Sequence, residues 1–241
     1  MPRALHTFLK AAFQNPQSTE FAFVNNGLAL ATIISIVTLV LETVHSLSAY
    51  VPLFHTIEYT TVGLFTMEYM ARVAMAPSKW RYIFSFFGLV DLLSIIPSYL
   101  ALGNATFLKA ARTLRILRFL RMLRLVKLAR FEKLHRKTKN KTSLYALNIE
   151  IYAVALISVL LILGVGIYVF EAGHRYASDI PSAMFWVFKV ILGGIPIEQP
   201  TTTVGLAILI ATRFASLVLF GLLVGIIGTM ARKALTGSDT D

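Results

Sequence analysis

The chain has 241 residues, 56% hydrophobic and only 15% charged, with a mean hydropathy of +0.71, too little polar surface for a water-soluble domain of this size, so part of its solvent is lipid. The net charge of +11 sits on residues in or beside apolar segments, which points away from nucleic acid and toward the membrane potential or lipid headgroups. The absence of cysteine removes disulfides, thiolate metal sites and cysteine nucleophiles.

Met1 to Asn26 has no apolar run followed by a small-residue cleavage site, so it reads as a cytoplasmic N-terminal segment and not as a removable signal. A membrane span takes about 20 mostly apolar residues. On that length the chain predicts spans at Gly27–Ser46, Leu53–Met75, Tyr82–Leu100, the heavily charged and marginal Phe107–Arg130, Leu144–Phe170 and Thr203–Met230. Pro181–Leu192 is apolar but too short to cross, so it suits a re-entrant half-helix.

Loop charges set the expected topology. Arg3 and Lys10 precede the first span, Arg72, Lys79 and Arg81 follow the second, Lys133–Lys141 follows the fourth, and Arg232 and Lys233 follow the sixth. The loops after the first and third spans carry no Lys or Arg, and the loop after the fifth has only Arg175. Both termini are therefore expected in the cytoplasm of a multi-pass protein of the cell (plasma) membrane. The basic stretch divides a four-helix unit, 27–130, from a two-helix unit with a re-entrant loop, 144–231, with 131–143 as linker and 232–241 as cytoplasmic tail.

Lys109, Arg112, Arg115, Arg118, Arg121, Arg124, Lys127 and Arg130 recur at every third position among Leu, Ile, Phe, Ala and Val. One such charge at the bilayer centre costs about 2.5–3.5 kcal/mol on insertion scales, whereas moving one charge through the membrane potential is worth about 2.3 kcal/mol per 100 mV. The row is stable only if it meets carboxylates or water, and several charges moving together would dominate a conformational equilibrium. On an α-helix, steps of three drift by about 60°, so the row spirals; on a 3₁₀ helix it forms one stripe. A surface helix bound to anionic lipid would instead keep its charges on one face.

A buried ladder requires acids. Glu42 falls in the first span, Glu58, Phe65, Glu68 and Arg72 share one stripe of the second, and Asp91 lies in the third. Glu68 with Arg72 is also an ordinary i,i+4 pair.

These residues carry a resemblance. Leu41-Glu42-Thr43, Glu58…Phe65-Thr66-Met67-Glu68…Arg72, Asp91…Ile95-Ile96-Pro97 and the ladder resemble the voltage-gated potassium channels, closely their prokaryotic six-helix members. The resemblance runs over almost the whole chain from about Gly27. It implies an all-α membrane protein, with a four-helix voltage-sensor domain plus a two-helix pore domain with a re-entrant pore helix. It implies gating charges at Arg112, Arg115, Arg118, Arg121, Arg124, Lys127 and Arg130. Phe65, Glu68 and Asp91 would form the charge-transfer centre, with Glu58 as outer countercharge. It also implies a homotetramer in the lipid bilayer and permeant ions with potassium foremost. No cofactor, metal or nucleic-acid partner is expected, and without a nucleophile, base or metal constellation no enzymatic activity is expected.

The pore half departs from the family. Where the family has Thr-Val-Gly-Tyr-Gly-Asp, this chain has Leu192-Gly193-Gly194-Ile195-Pro196-Ile197-Glu198. Ile195 and Ile197 are β-branched and resist positive φ, and Pro196 has a fixed φ and no N–H. The family's selectivity is therefore not carried over. Lys189 lies in the short helix and Arg213 in the last span. If Arg213 faced the cavity it would repel cations; otherwise it faces away or pairs with Glu198 or Glu171. Glu198 reads either as a carboxylate ring at the outer mouth or as a structural partner of Lys189. Gly221 and Gly225 are the expected hinge of the gate, since no Pro-x-Pro kink is present. Three functions follow: a voltage-gated cation channel, a voltage-gated channel that is anion-permeable or poorly selective, and a voltage-sensing membrane protein that does not conduct.

Overall fold

The structure is a computed structural model that describes residues 18–102, 144–196 and 198–236. The basic ladder, the linker 131–143 and Ile197 lie outside the described residues. Among the described residues every regular element is helical. The chain divides into two compact units between Asn140 and Lys141.

In the first unit, α1 spans Thr19–Leu41. It starts earlier than the expected Gly27 because Ser18 caps it. The Ser18 hydroxyl accepts from the Phe21 amide at 3.1 Å, and Glu20 places an acid in the first turn, where it complements the helix dipole. Residues 19–26, expected in the N-terminal segment, are thus helical. The helix also stops short of the expected Ser46. Glu42 is its C-cap, the Thr43 hydroxyl donates back to the Val40 carbonyl at 2.7 Å, and a 3₁₀ turn, His45–Tyr50, follows. Glu42 therefore sits at the end of α1 and not within it.

Helix α2, Val51–Met75, carries a proline in its first turn, where the missing N–H costs no helical bond. It buries Phe54, Glu58, Thr61, Phe65, Glu68 and Arg72 along one stripe at steps of three and four. The expected third span is two helices, α3 at Lys79–Ile83 and α4 at Phe86–Leu102. Ser85 makes the break. Its hydroxyl donates to the Tyr82 carbonyl at 2.6 Å and accepts from the Gly88 amide at 3.1 Å, starting a new helix. A Cβ at Gly88 would collide with the Tyr82 carbonyl, so the turn needs a glycine there. α1 packs on α2, and α2 on α4.

In the second unit, α5 spans Leu144–Phe170, as expected. The segment expected to be re-entrant forms helix α6, Ile180–Ile191, capped by the Asp179 carboxylate accepting from the Ser182 amide at 2.8 Å. α7 runs from Thr203 to Thr236, so the expected tail 232–241 begins inside a helix. The three helices pack on one another around Val165, Ile167, Ile180 and Val187, all fully buried. Among the described residues, three helices are long and apolar enough to cross a membrane: α1, α5 over Ile149–Phe170 and α7 over Thr203–Arg232. The 25 residues of α2 match that length, but Glu58, Glu68 and Arg72 make it more polar.

Close approach of α5 to α6 depends on Gly164, where a Cβ would lie 2.6 Å from Met184 Cγ and 3.0 Å from its Cα. Gly164→Val is expected to lower the stability of the second unit by about 1–3 kcal/mol through overpacking. Thermal unfolding in detergent measures it.

Candidate functional site

In the first unit the helices stack an apolar layer between two polar ones. Leu28 of α1, Phe65 of α2 and Ile95 of α4 form one buried cluster. Short connections make consecutive helices antiparallel, so one turn backwards on α1 and α4 and one turn forwards on α2 lead to the same side. There lie Asn25, Glu68 and Asp91, all buried. On the opposite side lie Thr32, Thr61, Glu58 and Ser98, also buried.

Each carboxylate has a built environment, because a buried charge without partners costs several kcal/mol. Glu68 accepts from Arg72 Nε at 2.9 Å, and Nη2 lies 2.8 Å from the same carboxylate oxygen, so the i,i+4 ion pair is formed, and both side chains are buried. Tyr82 Oη donates to Asp91 at 3.1 Å. Ser98 Oγ donates to Glu58 at 2.5 Å, linking α4 to α2. Glu68 and Asp91 thus lie on one side of the Phe65 layer, and Glu58 lies on the other, two turns from Phe65 along α2. Tyr82 and Ser98 were missed in sequence. Ser98 follows Pro97 in an apolar helix, and only its polarity there marks it.

In the second unit the stretch expected as the filter begins as a helix cap. The Gly193 amide donates to the Val190 carbonyl at 3.1 Å, and the Gly194 amide to the Lys189 carbonyl at 2.9 Å. Gly193 has φ of 86°. This is a Schellman ending, and it uses the two glycines to close α6. The carbonyls at this end are also engaged. Arg213 donates to the Gly194 carbonyl at 3.0 Å and the Val190 carbonyl at 3.4 Å, and Ser216 Oγ donates to the Ile191 carbonyl at 2.6 Å. Arg213 therefore binds main-chain oxygens, and neither Glu171 nor Glu198 is its partner. A cation at this negative helix end is a favourable placement.

Lys189 Nζ lies 4.7 Å from the Phe185 ring centroid, a cation–π contact, and the exposed Glu198 is held through its backbone, whose carbonyl accepts from Trp186 Nε1 at 3.2 Å. Ile195 is 84% exposed, and a cleft of about 820 Å³ opens beside it, lined by Arg175, Lys189 and Glu198 among others. Gly221 and Gly225 lie within the unbroken α7, and a Cβ at either would meet open space.

Glu171, directly after α5, ties the second unit together. One oxygen accepts from Thr202 N at 2.9 Å and Oγ1 at 2.6 Å; the other accepts from Thr201 N at 3.0 Å and Oγ1 at 3.1 Å and from Tyr176 Oη at 3.0 Å. A Cβ at Gly205 would collide with this carboxylate. Burial opposes ionisation, but the hydrogen bonds from Thr201, Thr202 and Tyr176 outweigh it and lower the pKa to about 2. The Thr201-Thr202 signal is readable as helix capping, since the Thr202 hydroxyl also accepts from the Gly205 amide at 2.9 Å.

Helices of spanning length, buried carboxylates and a half-helix closed by a cationic side chain describe an integral membrane protein. The chain belongs to the ion transport protein family, which it matches over residues 22–234. It is 30% identical to the rat voltage-gated potassium channel regulatory subunit KCNF1 over 139 residues, 56% of this chain and 27% of that protein. It is 31% identical to the human A-type voltage-gated potassium channel KCND3 over 105 residues, 38% of this chain and 16% of that protein. A Rhodopseudomonas palustris protein whose name describes it as a candidate potassium channel is 27% identical over 98% of this chain and 60% of its own length. The chain thus spans about a quarter of the first of these relatives and less of the second.

Glu171→Gln is expected to destabilise the second unit by about 1–3 kcal/mol, the cost of losing a charged acceptor in a buried network. Folding lowers this pKa from 4.5 to about 2, so the contribution is complete above about pH 4.5 and is lost as pH falls toward 2. The difference in unfolding midpoint between wild type and variant should therefore narrow through that window.

Proposed function

We propose that the chain is the subunit of a voltage-gated cation channel, a homotetramer in which the ladder from Arg112 to Arg130 moves in the membrane field. The arrangement is a four-helix voltage sensor, 27–130, and a pore unit, 144–231, in a multi-pass plasma-membrane protein with cytoplasmic termini. One observation carries it: two buried polar layers with Glu58, Glu68 and Asp91 flank an apolar layer centred on Phe65, in the half of the chain that holds the ladder. A cation crossing such a stack passes from one carboxylate level to the next across a short apolar step, which suits stepwise transfer. The relatives named for voltage-gated potassium channels support the same reading, as does the family, and none of these features suits an enzyme. Exposed Phe185, Leu192 and Ile195 on the pore unit supply an apolar face for further copies.

The pore segment favours a second reading. With Gly193 and Gly194 closing α6 and the Gly194 carbonyl bound by Arg213, the row of ion-facing carbonyls that selects potassium is not available in its usual form. The channel is then poorly selective or anion-permeable. A protein that senses voltage without conducting is a third reading, in keeping with the regulatory subunit among its relatives.

Reconstituted in planar bilayers under potassium, sodium and chloride gradients, the chain is expected to give voltage-dependent current that reverses near the potassium potential. Reversal that follows chloride selects the second reading, and voltage-dependent charge movement without ionic current selects the third. Neutralising Arg118 and Arg121 to Gln should shift and flatten the voltage dependence; unchanged gating would remove the ladder from the mechanism. Arg213→Gln frees the Gly194 carbonyl and removes a positive charge beside it, so the cation-to-anion permeability ratio should rise several-fold on the second reading. The same reversal-potential measurement reads it.

A further inference from the structure

Asn25 of α1 is 4% exposed, yet its side chain is only half satisfied. Nδ2 donates to the Phe21 carbonyl at 2.8 Å, which fixes the amide orientation. That leaves Oδ1 as a fully buried acceptor with no hydrogen-bond partner among the described residues. Orphaned buried acceptors are rare, because each forfeits the water it left without gaining a replacement. This one is not randomly placed. It sits one turn from Leu28, on the side of the apolar layer where Glu68 follows Phe65 and Asp91 precedes Ile95. Three helices therefore each contribute one buried polar side chain to the same level. Two are carboxylates that suit a cation, and the third presents a neutral carbonyl oxygen that wants a donor.

We infer that Asn25 is a third member of this cation-binding level, its Oδ1 accepting from the guanidinium or ammonium of a ladder residue. The inference rests on the voltage-sensing reading above and adds α1 to a site assigned so far to α2 and α4. A neutral acceptor suits this place. It adds a hydrogen bond to an arriving cation without a further negative charge beside Glu68 and Asp91, whose mutual repulsion a third carboxylate would increase. It also leaves the cation able to depart, which a tighter site would hinder. Leu or Val would pack the position equally well and supply no acceptor.

The test is the voltage-driven charge movement of the full-length chain in a lipid membrane, compared among wild type, Asn25→Leu and Asn25→Asp. Leu removes the acceptor at similar volume, and Asp strengthens it with a charge. The two variants should displace the midpoint of charge movement in opposite directions. Each displacement should correspond to about a tenfold change in the equilibrium between sensor positions, the size expected of a hydrogen bond to a charged group. Asn25→Ser, small and polar, replaces Leu if that variant is not recovered in the membrane, and should shift the midpoint in the same direction as Leu. Unshifted midpoints, or shifts of the same sign in Leu and Asp, would overturn the inference and leave a packing role only. Absence of charge movement in the wild type would overturn the voltage-sensing reading itself, a distinct result.

Discussion

An ionic group in hydrocarbon must find a partner or be expelled, and most of what is specific in this molecule follows from that constraint. A carboxylate or guanidinium away from water keeps its charge only where hydrogen bonds and opposite charge replace hydration. Glu68 meets Arg72, Asp91 meets Tyr82, and Glu58 meets Ser98. In the second unit Glu171 gathers Thr201, Thr202 and Tyr176, and Arg213 settles on carbonyls at the end of a half-helix. Apolar surface fills the space between these groups. The placement of the polar contacts fixes which helix faces which within each unit.

The same constraint separates the two units in kind. In the first, the buried acids stand in layers beside a cluster of Leu28, Phe65 and Ile95. In the second, ionic and polar contacts staple loops to helix ends. Glu171 joins the end of α5 to the start of α7, and Arg213 joins α7 to the end of α6. Carbonyl oxygens are a limited resource at the end of a half-helix. Those of Lys189 and Val190 accept from the two glycine amides, and that of Gly194 accepts from Arg213. Each of these oxygens thus spends acceptor capacity within the chain, in a segment whose sequence differs from the filter of the family it resembles.

Much of this was legible in the sequence. Hydropathy located α2 and α5 closely and recognised α6 as a helix too short to span. The stripe Glu58, Phe65, Glu68, Arg72 is a matter of spacing alone, and α2 buries all of it. The boundaries that moved did so for local reasons that hydropathy does not weigh. Ser18 and Glu20 begin α1 before its apolar run, and Ser85 with Gly88 breaks a continuous apolar stretch into α3 and α4. The role of the glycines after α6 was also illegible, because Gly-Gly serves a filter and a helix cap equally well until the partners of its amides are known.

The sequence by itself determined the class of molecule: an apolar chain with a basic ladder at every third position, acids in its other apolar segments and a short apolar segment of half-helix length. These are properties of composition and period, which depend only on residues near one another in the chain. Tertiary structure alone decided which polar groups share a level and which oxygens remain free. Ser98 on Glu58, Tyr82 on Asp91, Thr201 and Thr202 on Glu171 and Arg213 on Gly194 join residues apart in sequence. Such contacts are set by helix rotation and register, quantities to which local periodicity is blind because many registers bury the same apolar stripe equally well.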